Sequence, residues 1–458
     1  MTMTERPGEW VDTAPGLASF TFDEYPMQIT TERYTSREYA ERERDAIWMR
    51  TWQVCGRESD LPEMGDWKEH QIYDQSYVIV RGKDGVLRGF VNACRHRGNK
   101  LCIGGRGNSN GPRIVCNYHL WSFNLDGSLA RVFRPELVGE VDIESLGLLP
   151  VSVDTFGGFV WMHPDPGAAP LAEYLGPIVA LLTPYRMHEM TKVLDVREAL
   201  ECNWKVVIDA FTEGYHIEGI HPELLQIIVI DPTKNRFNYF DEHAVACSPF
   251  EAATREGFTV EDQIEGIRQL PNTFPGVAEI LPDFEARVGE YRDANGKVDF
   301  PEGITPRILL QHATRKTFTD KGLDVRGLTD AQMSDNHGYL LFPNFFMTIR
   351  AGEATVITAV PHPDGDPNRC IWHITSYYWL QPDLAEMFRA EPIDVQHPGD
   401  YDYFLALQQD YVQMPRQQLG LRNTRLEYLS LAHEEIGVAR FQAVVDRYMA
   451  EHTVEAAQ

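Results

Sequence analysis

The chain has no long apolar run. Its best stretch, residues 224–230, falls far short of the ~20 residues a membrane-spanning helix requires, so a membrane protein is not expected. Basic residues are scarce: 42 Lys and Arg stand against 68 Asp and Glu, for a formal charge of -26. So acidic a chain repels phosphate, which makes nucleic acid and anionic membrane poor partners. Cysteine is sparse, and seven is an odd number in 458 residues, which argues against a disulfide framework and for a reducing compartment. The opening MTMTERPGEW has no apolar core of signal-peptide length, and the expected location is the cytoplasm. Internal repeats and low-complexity tracts are missing, as is any dinucleotide-binding glycine fingerprint. What remains is 43% hydrophobic and 11% aromatic, enough for two or three well-filled domains.

Residues 1–35 read as irregular, and residues 36–52 as a helix anchored by Tyr39, Ile47, Trp48 and Trp52. From about Trp52 to Pro164 short strand-like runs (QSYVIVRG, VLRGFVNA, RIVCNYHLWSF, LPVSV, GGFVWMH) alternate with glycine turns, the rhythm of a small antiparallel β domain. The Pro- and Ala-rich stretch 163–175 reads as a boundary. Beyond it, helices are expected over 203–220, 383–395, 400–418 and 432–452, and strands in HAVACSPF, GYLLFPNFFMTIR, EATVITAVPH and RCIWHITSYYWL. That is an α+β pattern with an antiparallel sheet, from which 251–335 reads as a variable excursion.

Two constellations carry chemistry. The first is Cys94-x-His96, nineteen residues, then Cys116-x-x-His119. Two thiolates and two imidazoles on two tight loops suit zinc, or a [2Fe–2S] cluster in which histidines replace two cysteines on one iron. The equal split of Cys and His between the loops favours iron–sulfur, as do Gly98 and the glycine-rich 104–111 loop, whose N–H groups can approach bridging sulfides. Cys102 falls outside the pattern and reads as a small buried hydrophobe. Residues 81–134 hold ten Lys or Arg and two acids, a cationic window that would steer an acidic electron donor.

The motif C-R-H-R-G followed by C-x-Y-H-x-W-x-F resembles the Rieske domain of the Rieske non-haem iron oxygenases, large (alpha) subunit, the aromatic-ring-hydroxylating dioxygenase family. The nineteen-residue gap is slightly longer than usual there.

The second constellation lies in NWKVVIDAFTEGYHIEGIHPELL, where His216 and His221 are five apart and Glu213 precedes His216 by three. Positions i and i+5 do not share a helix face, but Pro222 biases His221 out of helical geometry and could swing it toward the metal of His216. Two histidines and a carboxylate make the facial triad of mononuclear Fe(II) oxygenases. The segment is similar to the same family's catalytic signature. By that resemblance His216 and His221 are iron ligands, and Glu213 is the carboxylate bridging to the Rieske centre of a neighbouring subunit. Asp209 matches the upstream acid, and Ala210 stands where an Asn is frequent. Many ring dihydroxylases have Asp at the bridge; Glu is shared with choline- and betaine-type monooxygenases. The resemblance selects Asp410 over Asp402 as the third ligand, followed by Gln418, Gly420 and Leu421.

The resemblance implies an all-β Rieske [2Fe–2S] domain over 45–165 and a helix-grip-like catalytic domain over 166–458, with 1–44 packing on the latter. It implies a [2Fe–2S] cluster, a mononuclear Fe(II), and NAD(P)H electrons arriving through a reductase, with a ferredoxin in some systems. A ring-shaped homotrimer follows from the inter-subunit bridge, and some members add a small beta subunit. The expected activity is hydroxylation of an aromatic or bulky apolar small organic substrate with O2, as in aromatic hydrocarbon catabolism. The alternatives are a monooxygenase or demethylase acting on quaternary ammonium or methylated substrates, a Rieske electron carrier without catalytic iron, and a zinc-stabilised binding protein. Phe342, Phe345, Phe346, Tyr377, Tyr378 and Trp379 are the expected aromatic lining.

Overall fold

The computed structural model describes residues 25–137, 142, 145–226, 236–250 and 257–453. Residues 1–24, expected to be irregular, and residues 227–230 of the apolar run lie outside the described residues. The chain divides into two compact units. Residues 41–176, with the short segment 362–366, make one; residues 25–40, 177–361 and 367–450 make the other. After β1 (Gln28–Thr30) comes the first expected helix, Arg37–Glu43, which widens into a π turn over Arg44–Trp48.

The smaller unit is built of short antiparallel strands: β2 (Gln53–Arg57), β3 (Asp66–Ile72), β4 (Gln75–Arg81), β5 (Leu87–Val91), β6 (Arg106–Asn108), β7 (Arg113–Val115), β8 (Ser122–Asn124), β9 (Leu129–Arg131), β10 (Pro150–Phe156) and β11 (Phe159–His163). Seven pair in the order β2-β11-β10-β5-β4-β3-β6, and β7-β8-β9 form a separate sheet. The glycine turns do what the sequence implied: Gly157 and Gly158, at φ +62° and +80°, make the two-residue turn closed by the Phe156–Phe159 pair. A buried cluster of Val78, Val80, Phe90, Ile114, Trp121 and Phe123 extends to Cys94 and Cys116, and so ties both loops to the core.

The larger unit holds an eight-stranded sheet. Its strands are β12 (Thr191–Leu200), β13 (Arg236–Phe240), β14 (His243–Ser248), β15 (Asn336–Leu341), β16 (Phe345–Arg350), β17 (Glu353–Pro361), β18 (Cys370–Tyr378) and β19 (Ile393–Asp394), in the order β13-β14-β15-β16-β17-β18-β12-β19. Every pair is antiparallel except β12–β19. The excursion between β14 and β15 is helical (Val260–Gln269, Leu281–Gly289, Pro306–Asp320, Asp330–Ser334), while the two strands pair directly, Ala246 opposite Gly338. The later expected helices occur as Pro382–Phe388, Leu405–Leu421 and Ile436–Thr453. The first of these ends early: Arg389 leaves helical geometry, and β19 follows Pro392. β20 (Tyr428–Ser430) pairs with β1. Among the described residues no helix is long and apolar enough to cross a membrane.

The helix expected over 203–220 is interrupted. Asn203 caps its start, its side-chain oxygen accepting from Lys205 N–H at 3.0 Å. The helix Trp204–Phe211 then packs on the sheet, where Phe211 stacks on Phe346 at 5.6 Å and meets Trp372 at 6.1 Å. The chain bends at 212–216 and resumes as a single turn, Ile217–Ile220, with His221 leaving helical geometry at φ -119° and ψ 57°.

Two candidate metal centres

Cys94 lies in the loop after β5, and Cys116 in the loop between β7 and β8. Gly98 N–H bonds the Cys94 carbonyl at 2.9 Å, and Leu120 N–H the Cys116 carbonyl at 3.0 Å. Both thiols are buried and hydrogen-bond to each other, whereas His96 is exposed and His119 half-buried. The two imidazole centroids are 4.5 Å apart, and Trp121 stacks on His96 at 4.7 Å. The N–H groups of His96 and Arg97 point at Cys94, and those of Tyr118 and His119 at Cys116. Burial raises the Cys94 thiol. At Cys116 burial acts the same way, but these donors, with Cys94 and Asn99, outweigh it and draw the thiol below its ordinary value. Thiols inward, imidazoles outward and N–H groups aimed at sulfur fit a Cys2His2 [2Fe–2S] cluster.

The 104–111 stretch plays a different part from the one expected. It supplies β6, which pairs with β3, and Gly107 is needed because a Cβ there would meet the Trp67 ring at 2.7 Å. The sulfur-directed N–H groups come from the ligand loops themselves. Cys102 is buried in the core, its thiol pushed up to about 12 by burial, as a structural cysteine should be.

In the larger unit His216, His221 and Asp410 each present a ligand atom, all within 4.8 Å of one another. Asp410 Oδ1 is 3.1 Å from His221 Nε2 and 3.7 Å from His216 Nε2. The remaining ring nitrogens are engaged: His216 Nδ1 by Glu213, and His221 Nδ1 by Gln409 Oε1 at 2.6 Å. This carboxylate–imidazole and amide–imidazole support is how metal-bound histidines are held in one tautomer. Glu434 and Glu435 stand above the ordinary carboxylate range, through burial and through Glu218 and Glu213 nearby. So much negative charge around imidazoles suits a divalent cation. Asp402 lies before the Leu405–Leu421 helix and outside the group.

A cleft of about 260 Å³ opens beside His216, lined among others by Tyr34, Asp209, Glu213, Asp410 and Glu435. Asp209 accepts from the Tyr34 hydroxyl at 2.7 Å and from Gln442 Nε2 at 3.0 Å, and burial pushes its pKa up to about 7. Gln418 ties the N-terminal segment to the helix cap, accepting from Asn203 N–H at 3.0 Å and donating to the Tyr34 carbonyl at 3.1 Å. Sequence reasoning missed Gln409, Gln442 and Tyr34. Gln409 adjoins Asp410, yet nothing in its spacing marks it; the other two arrive from the chain's two ends. Of the expected aromatics, Phe346 meets Phe211. Phe342 instead packs on Phe441 and Tyr448, Trp379 meets Phe318, and the strand alternation turns Phe345 and Tyr377 to the other face.

The fold and the two sites together define a Rieske-type iron protein. Residues 187–451 match the family model for the ring hydroxylating alpha subunit (catalytic domain), and residues 51–141 that for the Rieske [2Fe-2S] domain; the chain belongs to the ring-hydroxylating alpha-subunit family. It is 32% identical over 206 residues to the carnitine monooxygenase oxygenase subunit of Escherichia coli (strain K12), covering 44% of this chain and 54% of that protein. It is 30% identical over 226 residues to the glycine betaine monooxygenase oxygenase subunit of Pseudomonas aeruginosa (strain UCBPP-PA14), covering 48% and 51%. The chain thus spans about half the length of the curated relatives it matches. A quaternary ammonium Rieske monooxygenase in complex with L-carnitine superposes with a TM-score of 0.62 at 20% identity, covering 92% of this chain and 95% of that one. Naphthalene 1,2-dioxygenase with indole bound gives 0.61 at 19%, covering 93% and 96%. These structural likenesses show the fold.

Proposed function

We propose that this chain is the terminal oxygenase component of a multicomponent Rieske oxygenase, and that it hydroxylates a small organic substrate with an apolar body. The convergence of His216, His221 and Asp410 carries the reading. In this reading Cys94, His96, Cys116 and His119 hold the [2Fe–2S] cluster, and His216, His221 and Asp410 hold Fe(II). Bound there, the cluster and the iron supply the redox chemistry by which O2, two electrons and two protons turn R–H into R–OH and water, or a double bond into a cis-diol. The chain's own part is positional. Glu213 and Gln409 fix the two imidazoles, and the carboxylate-rich surround holds the cation. Asp209, with Tyr34 and Gln442, places a proton-carrying carboxyl at the cleft. Phe211 and Phe346 offer an apolar wall on the same side of the sheet. Electrons would come from NAD(P)H through a separate reductase, and the working assembly is a homo-oligomer in which Glu213 faces a neighbour's cluster.

A second reading, monooxygenation or demethylation of a quaternary ammonium compound, is favoured by Glu at position 213 and by the names of the matched relatives. Metal analysis tests the shared core of both. Anaerobically purified protein should hold about three irons and about two acid-labile sulfides per chain. His216→Ala should lose the unpaired iron and keep the sulfide. Zinc without sulfide would sink both readings. Products formed under labelled O2 then separate one inserted atom from two.

A further inference from the structure

Trp372 on β18 lies opposite Glu198 on β12, on the sheet face that also carries the Phe211–Phe346 wall. Trp372 is fully buried and meets Phe211 at 6.1 Å. Two tyrosines also close on it: Tyr403 at 5.5 Å, edge-on, and Tyr411, the residue after Asp410, at 6.3 Å. Tyr403 in turn meets Tyr411 at 5.3 Å and Tyr401 at 4.9 Å. Tyr403 is 6% exposed, whereas Tyr401 is half-buried and reaches solvent. A run of oxidisable rings thus leads from the apolar wall to the surface.

Rings in contact are ordinary core packing, and phenylalanine would fill nearly the same volume. Glu198 is what packing leaves unexplained. It is 2% exposed, and its carboxylate takes neutral donors: the Tyr403 hydroxyl donates to Oε2 at 2.7 Å, the Tyr411 hydroxyl to Oε1 at 2.6 Å, and Gly399 N–H to Oε1 at 3.1 Å. A buried carboxylate is costly, and a neutral amide oxygen would also accept from a phenol. What the carboxylate adds is basicity. A phenol that loses an electron becomes a strong acid, and a base already at hydrogen-bond distance takes its proton without rearrangement.

We propose that Trp372, Tyr403 and Tyr401 form an electron relay that drains an oxidising equivalent from the mononuclear site when no substrate is there to take it, with Glu198 as the proton acceptor for Tyr403. The inference rests on the oxygenase reading and adds a protective function to it. The oxidant is oxygen-derived, formed where O2 and electrons meet no C–H bond. Trp372 gives it one electron and keeps the indole proton. Tyr403 refills Trp372 with one electron and passes its phenol proton to Glu198. Tyr401 refills Tyr403, which takes that proton back, and Tyr401 releases its own proton to water. A thiol in solution then returns a hydrogen atom to the Tyr401 oxygen and leaves as a thiyl radical. Glu198 ends as it began.

The test is radical detection in the full-length protein, loaded with iron and with its cluster oxidised and therefore silent in electron paramagnetic resonance. Hydrogen peroxide is added without substrate and the sample is frozen at once. A tyrosyl signal should appear. Tyr403→Phe should cut that signal several-fold, while oxygen incorporation at Trp372, read by peptide mass spectrometry, rises several-fold. Glu198→Gln keeps an acceptor for both hydroxyls but no base, and should cut the signal in the same way; a merely structural Glu198 would leave it unchanged. If these buried variants fail to fold, Tyr401→Phe decides. It should keep the signal, held on Tyr403, and slow its quenching by glutathione several-fold. Absence of a tyrosyl signal in protein shown to hold the unpaired iron overturns the relay alone, as do a signal and quenching that the substitutions leave unchanged. Absence of the unpaired iron overturns the relay together with the oxygenase reading, and metal analysis of the same sample tells the two failures apart.

Discussion

At the residue scale, the supports of the mononuclear site matter as much as its ligands. Gln409 Oε1 can only accept, so it fixes the proton on His221 Nδ1 and leaves Nε2 free to face Asp410. Gln409→Leu removes that acceptor while keeping the bulk. Iron affinity at the mononuclear site should fall about 10- to 100-fold with the cluster untouched. Iron per sulfide after dialysis is the measurement, and a ratio equal to the unsubstituted protein's would show that Gln409 does not orient the ring. Asp209 makes a different prediction. Its folded pKa of about 7 stands above the unfolded value near 4, so between these the folded state binds more protons and stability falls as pH rises. Asp209→Asn abolishes this slope. The melting temperature of the variant relative to the parent should climb from about pH 4 to about pH 7 and then level off. A difference that stays constant across that window would mean the carboxyl ionises normally.

At the scale of elements, the break at 212–216 carries Glu213 and His216, which line the cleft, and a distant helix packs closely on it. A Cβ on Gly437 would fall 1.9 Å from the Thr212 carbonyl oxygen, backbone against backbone. Gly437→Ala must therefore push the Ile436–Thr453 helix off the bend, at a cost of about 1 to 3 kcal/mol, and loosen iron with it. Gly420→Ala is the matched control: it sits in the Leu405–Leu421 helix with open space around it and should stabilise by up to about 1 kcal/mol. Comparable melting temperatures and iron contents in the two variants would remove the contact's importance. The same contact explains the limits of the sequence. Pro222 marks a helix end near His221; Gly214 is a local hint of the earlier break, but the close approach of Gly437 to it comes from far along the chain. The Cys94/His96 and Cys116/His119 pairs, and His216 with His221, were legible because each pair is local. Asp410 needed a family resemblance, and Gln409, Gln442 and Tyr34 had no signal to give. In the excursion, the capping boxes at Thr259–Asp262 and Thr329–Gln332 were readable helix starts, but the helices behind them are too short for periodicity to stand out.

At the scale of the whole molecule, charge is unevenly spread, and that should govern how electrons arrive. The chain carries -26 overall, yet residues 81–134 around the cluster loops hold ten Lys or Arg against two acids. Arg97, Arg106, Arg113, Arg131 and Arg134 are exposed, and Arg97 lies 5.4 Å over the Tyr118 ring beside His119. An acidic donor would be drawn to this window and repelled by the rest of the surface, which orients the encounter as well as speeding it. Steering of this kind raises association rates by about 10- to 1,000-fold at low salt, and it fades once the screening length shrinks toward ~8 Å at physiological ionic strength. The second-order rate of cluster reduction by an acidic ferredoxin or reductase, followed by stopped-flow absorbance, should therefore fall steeply with added salt. Arg97→Gln/Arg113→Gln should flatten that dependence while leaving the cluster's spectrum and iron content alone, because neither side chain is a ligand. A salt-independent rate, or a slope unchanged in the variant, would show that the positive window is an ordinary solvated surface and that recognition of the donor rests on contacts elsewhere.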